Sequence, residues 1–251
     1  MTFPVRIDLA GYAVPAHLLL EVASYAVAFQ VYRALRRRAG DVIDATPRWA
    51  VIAAAAVGAA LGSKLLFLLD DPAATWARRG NPAELLGGKT IVGGILGGWI
   101  AVEAVKRALG IDRRTGDLFA VPLCVGIAVG RIGCFLEGLG DRTYGIATSL
   151  PWGVDFGDGV LRHPTQLYET LFLVALAVPL HRATLRPHGE GAVFRAFVAA
   201  YLAWRLGIDF LKPGGTLLGM SGIQWACAAG LAGLGAAALR SAPRSVEAAR
   251  A

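Results

Sequence analysis

Seven long runs of apolar residues, at roughly 13–34, 49–69, 91–108, 116–136, 165–182, 191–211 and 217–239, dominate this chain. A helix needs about 20 apolar residues to cross a hydrocarbon core about 30 Å thick, and several of these runs reach that length. The expected fold is therefore all-α, a polytopic membrane protein of about seven transmembrane helices forming a single transmembrane domain over residues 1–251. Composition agrees: 55% of the residues are hydrophobic and 17% are charged, whereas about a quarter are charged in ordinary soluble domains.

The net charge of +7 invites a nucleic-acid reading, but the basic residues sit in short links between apolar runs. Arg33, Arg36, Arg37, Arg38, Arg48, Lys106, Arg107, Arg113, Arg114, Arg182, Arg186, Arg240, Arg244 and Arg250 fall on one set of alternate loops. The other set carries Arg6, Arg78, Arg79, Lys89, Arg142, Arg162 and Lys212. The first set is about twice the second, which places the N-terminus outside and the C-terminus in the cytoplasm. The charge thus reports topology, and nucleic acid is not an expected partner. The N-terminal stretch lacks the ordered regions of a signal peptide, so the first span is expected to be retained. The longest non-spanning segment, about 137–163, is an outer-side loop rich in Gly and Pro. Loops of that length in compact proteins are usually functional or disordered.

Cys124, Cys134 and Cys227 are odd in number and form neither a disulfide framework nor a CxxC pair. They are read as small buried groups. With no ligand cluster visible in the spacing, neither a metal nor an organic cofactor is expected. Gly93 and Gly97, with Gly94 and Gly98, recur four apart and are read as a surface for close helix packing.

An ionisable side chain at mid-span costs on the order of 2.5–3.5 kcal/mol, so each one requires a partner or a task. The candidates are Glu21, Lys64, Glu103, Arg131, Arg195, Arg205 and Asp209. Lys64 and Glu103 are placed near span ends, where they can snorkel. Glu21 lies deeper and is expected to pair with Lys64 or another cation. Arg205, Asp209 and Lys212 fall at i, i+4 and i+7 and line one stripe of a helix. One carboxylate leaves guanidinium donors of Arg205 spare. Arg131, between Gly130 and Gly133, stands where backbone or a lipid headgroup can approach closely. Two arginines on two spans make a clamp for one phosphate, because the planar fork matches phosphate bidentately.

The segment LRHPTQLYETLF carries His163 and Pro164 at the mouth of a helix, then Gln166, Tyr168 and Glu169 at its entrance. Gln166 and Glu169 at i, i+3 share one face. Belt anchoring explains Tyr168 alone, and loop hydrogen bonding explains His163 alone. The whole set exceeds what anchoring needs.

DLFAVPLCVGIAVGRIGCF, YGIATSLPWGV, RHPTQLYE and WRLGIDFLK together resemble the prolipoprotein diacylglyceryl transferase family over roughly residues 88–225. That resemblance implies a seven-span enzyme of the bacterial cell inner membrane. It also implies transfer of the diacylglyceryl group of phosphatidylglycerol to the lipobox cysteine thiol of a prolipoprotein, with release of glycerol 1-phosphate. Membrane lipid and the lipobox segment are then the partners. Arg131 and Arg205 match the family's arginines and are expected to hold the lipid phosphate, with Asp209 orienting Arg205. His163 and Glu169 are expected to order the loop or move the proton, and Gln166, Tyr168, Gly133 and Gly145 to complete the substrate site.

Four positions depart from the family pattern. Val92 stands where a histidine, the family's candidate base, precedes the paired glycines, and Cys134 replaces the asparagine after GRIG. The acidic residue that follows is displaced to Glu137 or Asp141, and Glu21 lies where a tyrosine is usual. His163, Glu21 or Glu137 then remain as replacement bases, or the thiol loses its proton without one. A divergent paralogue that binds lipid, serves as an accessory protein or uses another acceptor is the alternative.

Overall fold

The computed structural model describes residues 2–81, 85, 87–215 and 217–241; Arg244 and Arg250 lie outside the described residues. Every apolar run folds as a helix. A hairpin of β1 (Arg6–Leu9) and β2 (Tyr12–Pro15) leads into α1 (Ala16–Ala39) and α2 (Ala45–Asp70). The short α3 (Pro72–Ala77) precedes α4 (Ile91–Ala108) and α5 (Asp117–Glu137), which ends in a 3-10 turn, Gly138–Asp141. A loop containing the two-residue strands β3 (Val154–Asp155) and β4 (Leu161–Arg162) leads to α6 (Thr165–Thr184). Then come α7 (Ala192–Ile208), a second 3-10 turn at Asp209–Leu211, and α8 (Gly222–Ser241).

The boundaries shift where turn chemistry overrides hydropathy. The first run was expected to turn helical at residue 13, but Tyr12 to Pro15 pair antiparallel with Leu9 to Arg6. Ala10 and Gly11 supply the positive φ angles of that turn, 54° and 86°, and Gly11 N donates to Asp8 Oδ1 at 2.9 Å. The last run begins as helix at Gly222 rather than 217. There Gln224 N donates to Ser221 Oγ and Ser221 N donates to Gln224 Oε1, at 3.1 and 2.9 Å. This reciprocal pair is a capping box that fixes where the helix starts.

Among the described residues, four helices are long and apolar enough to cross a membrane: Ala16–Ala39, Ala45–Asp70, α5 with its 3-10 turn (Asp117–Asp141), and Gly222–Leu239. The protein is mostly helical and membrane-spanning. Its outward faces match that solvent, with Leu61, Leu65 and Leu69 of α2 all more than half exposed at i, i+4 and i+8. Inside, Phe197, Val198, Tyr201 and Leu202 are fully buried, which makes α7 a central post, and Cys124, Leu173 and Cys227 pack into the same core.

Charged side chains of the helices also hold the fold. Arg48 is buried, donates to Asp41 Oδ2 at 2.8 Å and to Thr115 O at 2.9 Å, and lies over the Phe119 ring. Glu103 pairs with Lys106 at 2.7 Å. Lys64 donates to Leu85 O at 3.1 Å and also to Gly88 O. Glu21 pairs with Lys89 rather than Lys64.

The closest helix contact is glycine on glycine. A Cβ at Gly62 of α2 would overlap Gly93 O and lie 2.7 Å from Gly97 Cα, and a Cβ at Gly97 would overlap Gly58 O and lie 2.7 Å from Gly62 Cα. Small residues at that spacing let two backbones touch without a hydrophobic drive between helices. Gly94 differs, because its Cβ would find nothing closer than 3.7 Å. Gly97→Ala should therefore destabilise the protein by about 1–3 kcal/mol, the usual cost of overpacking, while Gly94→Ala should be nearly neutral. Thermal unfolding in detergent checks the contrast, and equal melting temperatures would contradict it.

Candidate active site

The loop between α5 and α6 is tied down by its backbone before any side chain is considered. Gly145 N donates to His163 O at 2.9 Å, His163 N to Ile146 O at 3.1 Å, and Ile146 N to Leu211 O at 2.7 Å. These bonds seat the loop on the turn after α7. A Cβ at Gly145 would lie 2.6 Å from His163 Cβ and 2.9 Å from Leu211 O, so only glycine allows this approach. Farther out, Asp155 Oδ1 accepts from the amides of Gly157, Asp158 and Gly159. Beside that turn the Arg162 guanidinium holds the Asp158 carboxyl below its ordinary range.

Pro164 precedes the first helical residue of α6, and Thr165 Oγ1 donates to Thr143 O at 2.7 Å. The next turn points inward. Gln166 and Glu169 are 0% exposed, Arg131 of α5 is 3% and Arg205 of α7 is 5%. Glu169 Oε2 lies 2.8 Å from Arg131 Nη2 and 3.3 Å from Arg205 Nη1, so one carboxylate oxygen faces both guanidinium groups. Tyr201 donates its hydroxyl to Glu169 Oε1 at 2.6 Å. Arg205 Nη2 reaches Asp209 Oδ1 at 2.7 Å, and Lys212 Nζ lies 3.4 Å from the same oxygen.

Three helices thus converge on one carboxylate and leave polar atoms over. Among the described residues, Arg131 Nε, Arg205 Nε and both amide atoms of Gln166 are buried with no hydrogen-bond partner. Leaving a buried donor or acceptor unsatisfied costs roughly 1–3 kcal/mol, so these atoms are natural contacts for a bound polar group. Two carboxylates, Glu169 and Asp209, balance Arg131 and Arg205, and Lys212 then decides whether the cluster carries a positive charge. Burial, reinforced by the nearby Arg205 and Arg131, pushes the Lys212 ammonium down to about 7. With Lys212 charged, the cluster carries a net positive charge, which suits an anion.

The other residues singled out from sequence separate into distinct roles. His163 is not in this cluster; its Nδ1 lies 3.2 Å from the Tyr168 hydroxyl, which also accepts from Trp152 Nε1 at 2.8 Å. That trio braces the loop at the mouth of α6. Gly133 packs on α1, where a Cβ would lie 3.2 Å from Leu20 Cβ and 3.3 Å from His17 O. Val92 is buried at 1% exposure. Tyr201 was missed, although it precedes Arg205 and Asp209 by four and eight residues on the same stripe.

Comparison with known proteins accords with this geometry. The family model for prolipoprotein diacylglyceryl transferase matches residues 4–239. Relatives named phosphatidylglycerol–prolipoprotein diacylglyceryl transferase include that of Geobacter sulfurreducens, 31% identical over 80% of this chain and 79% of its own length. Those of Bordetella parapertussis and Cupriavidus necator are each 30% identical, over 86% and 88% of this chain and 85% and 84% of their own lengths. With a match across nearly its whole length and an arginine–carboxylate cluster at its centre, the chain belongs to the prolipoprotein diacylglyceryl transferase family.

Proposed function

We propose that this protein transfers the diacylglyceryl group of phosphatidylglycerol to the lipobox cysteine thiol of prolipoproteins, the first step of bacterial lipoprotein maturation. It works as a single seven-span domain of the bacterial inner membrane, with its N-terminus and the 137–163 loop outside and its C-terminus in the cytoplasm. The observation that carries this reading is the pair of buried arginines, from two helices, held against one carboxylate with donors to spare.

In the reaction the thiol sulfur attacks the glyceryl carbon, and the bond from that carbon to the phosphate oxygen breaks. Charge builds on the departing glycerol 1-phosphate, so cations fixed there favour the transition state over the ground state. Arg131 and Arg205 supply those cations. Glu169 is a positioning residue, since both guanidinium groups and the Tyr201 hydroxyl already engage it. Asp209 orients Arg205. The free amide of Gln166 suits the headgroup, with an acceptor for a glycerol hydroxyl and donors for a phosphate oxygen. His163, Tyr168 and Gly145 keep the loop seated over the site, and Gly133 keeps α1 close to Arg131.

Burial of Val92 favours a second reading, a lipid-binding paralogue or a transferase with another acceptor, because no titratable group occupies the position of the family's base. A reconstituted assay with phosphatidylglycerol and a lipobox peptide separates them. A diacylglyceryl mass gain on the peptide supports the first. Binding of the lipid without any gain, from folded protein beside an active control, supports the second.

Arg131→Ala should reduce transfer by about 100-fold or more, the usual effect of removing one preorganised donor, while the variant still inserts. Full activity would sink the clamp. Lys212 gives a pH test. Its positive charge is present below about 7 and lost above it, so affinity for phosphatidylglycerol should fall as pH rises through that value. Lys212→Arg, which stays charged, should flatten the profile; the same slope in both proteins would contradict the assignment.

A further inference from the structure

His17, Cys134 and Asp141 come from the first turn of α1, the last turn of α5 and the 3-10 turn that follows it. One ligand atom of each lies within 4.8 Å of the others, and all three residues are half-buried. The sequence conceals the set, because His17 stands 117 positions before Cys134.

Each member is held as a ligand would be. His17 Nδ1 is buried and has no hydrogen-bond partner among the described residues, while His17 Nε2 lies 3.7 Å from Glu21 Oε2. A carboxylate behind the second imidazole nitrogen is the usual support for a metal-bound histidine, and Lys89 fixes Glu21 in turn. Gly133 leaves room beside His17 Nδ1, since a Cβ there would lie 3.4 Å from it. Thr143 Oγ1 donates to Asp141 Oδ2. Arg131 Nη1 donates to Cys134 Sγ at 3.7 Å.

We propose that His17, Cys134 and Asp141 bind a zinc ion and that this ion takes the acceptor thiol as its fourth ligand. Mixed N, S and O donors suit zinc, and three protein ligands with one open position are its catalytic pattern. Ligand atoms around tetrahedral zinc lie about 3.5 Å apart, so the trio closes by roughly an ångström on binding. Coordination deprotonates a thiol outright. The proton goes to solvent, the zinc-bound sulfur forms the S–C bond, and the C–O electron pair leaves with glycerol 1-phosphate. Arg131 joins the two halves, with Nη1 on Cys134 and Nη2 on Glu169. This inference rests on the transferase reading: zinc takes over the activation of the thiol, for which this chain has Val92 where the family pattern has a histidine.

Cobalt(II) titration of untagged, chelator-treated protein in detergent tests it. One equivalent should produce a thiolate-to-cobalt charge-transfer band and the visible bands of a tetrahedral site, and zinc should bleach both. Cys134→Ser should abolish the charge-transfer band, and His17→Ala should weaken binding. A lipobox peptide should intensify the charge-transfer band as a second thiolate joins the ion. No band from folded protein, or the same band in Cys134→Ser, would overturn the site. An unchanged spectrum with peptide would overturn the thiol-activation step. Undiminished transfer by chelated Cys134→Ser protein would overturn the zinc proposal and leave the transferase reading standing. A cobalt site in protein that transfers nothing would support the site and remove the reading.

Discussion

Glu169 is a carboxylate with no exposure that faces two guanidinium groups and accepts from a tyrosine hydroxyl. In a low-dielectric interior no member of such a group is tolerable alone, and removing one partner of a buried pair costs several kcal/mol through the charge left behind. The carboxylate therefore does more than neutralise. It brings α5, α6 and α7 together, and it holds two cations that each keep a donor without a partner among the described residues. The rest of the protein serves that arrangement: α7 is the buried post, the α5–α6 loop seats over the turn after it, and the α2–α4 glycine contact closes the bundle at its side.

The arginines also explain why a membrane interior accepts so much polarity. On the proposed reading, a phosphodiester brings a negative charge and acceptor oxygens to Arg131 Nε, Arg205 Nε and the Gln166 amide, which have no hydrogen-bond partner among the described residues. Its ligation completes a network that the protein alone leaves incomplete, and half-satisfied buried networks are the costly kind. In the proposed reaction, binding energy from the lipid headgroup is directed to the oxygen that gains charge when the ester bond breaks.

Much of this was legible from residues. Hydropathy placed the long helices α1, α2 and α4 to α8, though not the short α3, and the insertion cost of charge singled out Arg131, Arg205 and Asp209 before any geometry was known. The recurrence of Gly93 and Gly97 read as packing, which is what Gly58 and Gly62 make of it. Pairings across the chain were not legible. Nothing local joins Glu169 to Arg131, Glu21 to Lys89, or His17 to Cys134, because apolar helices carry no record of their neighbours. The 3-10 turn at Asp209, the hairpin before α1 and the late start of α8 escaped for a different reason. Hydropathy is blind to turn and capping chemistry, which a serine, a glycine or an aspartate sets within three residues.

The central claim is that Arg131 and Arg205 hold one phosphate together. A double-mutant cycle of Arg131→Gln and Arg205→Gln, read as phosphatidylglycerol affinity of folded protein in detergent, tests it most directly. The account predicts loss of affinity in each single variant and a coupling of about 1 kcal/mol or more between them, within the range seen for residues sharing one network. Unchanged affinity, or losses that simply add, would show that the two arginines do not share a ligand.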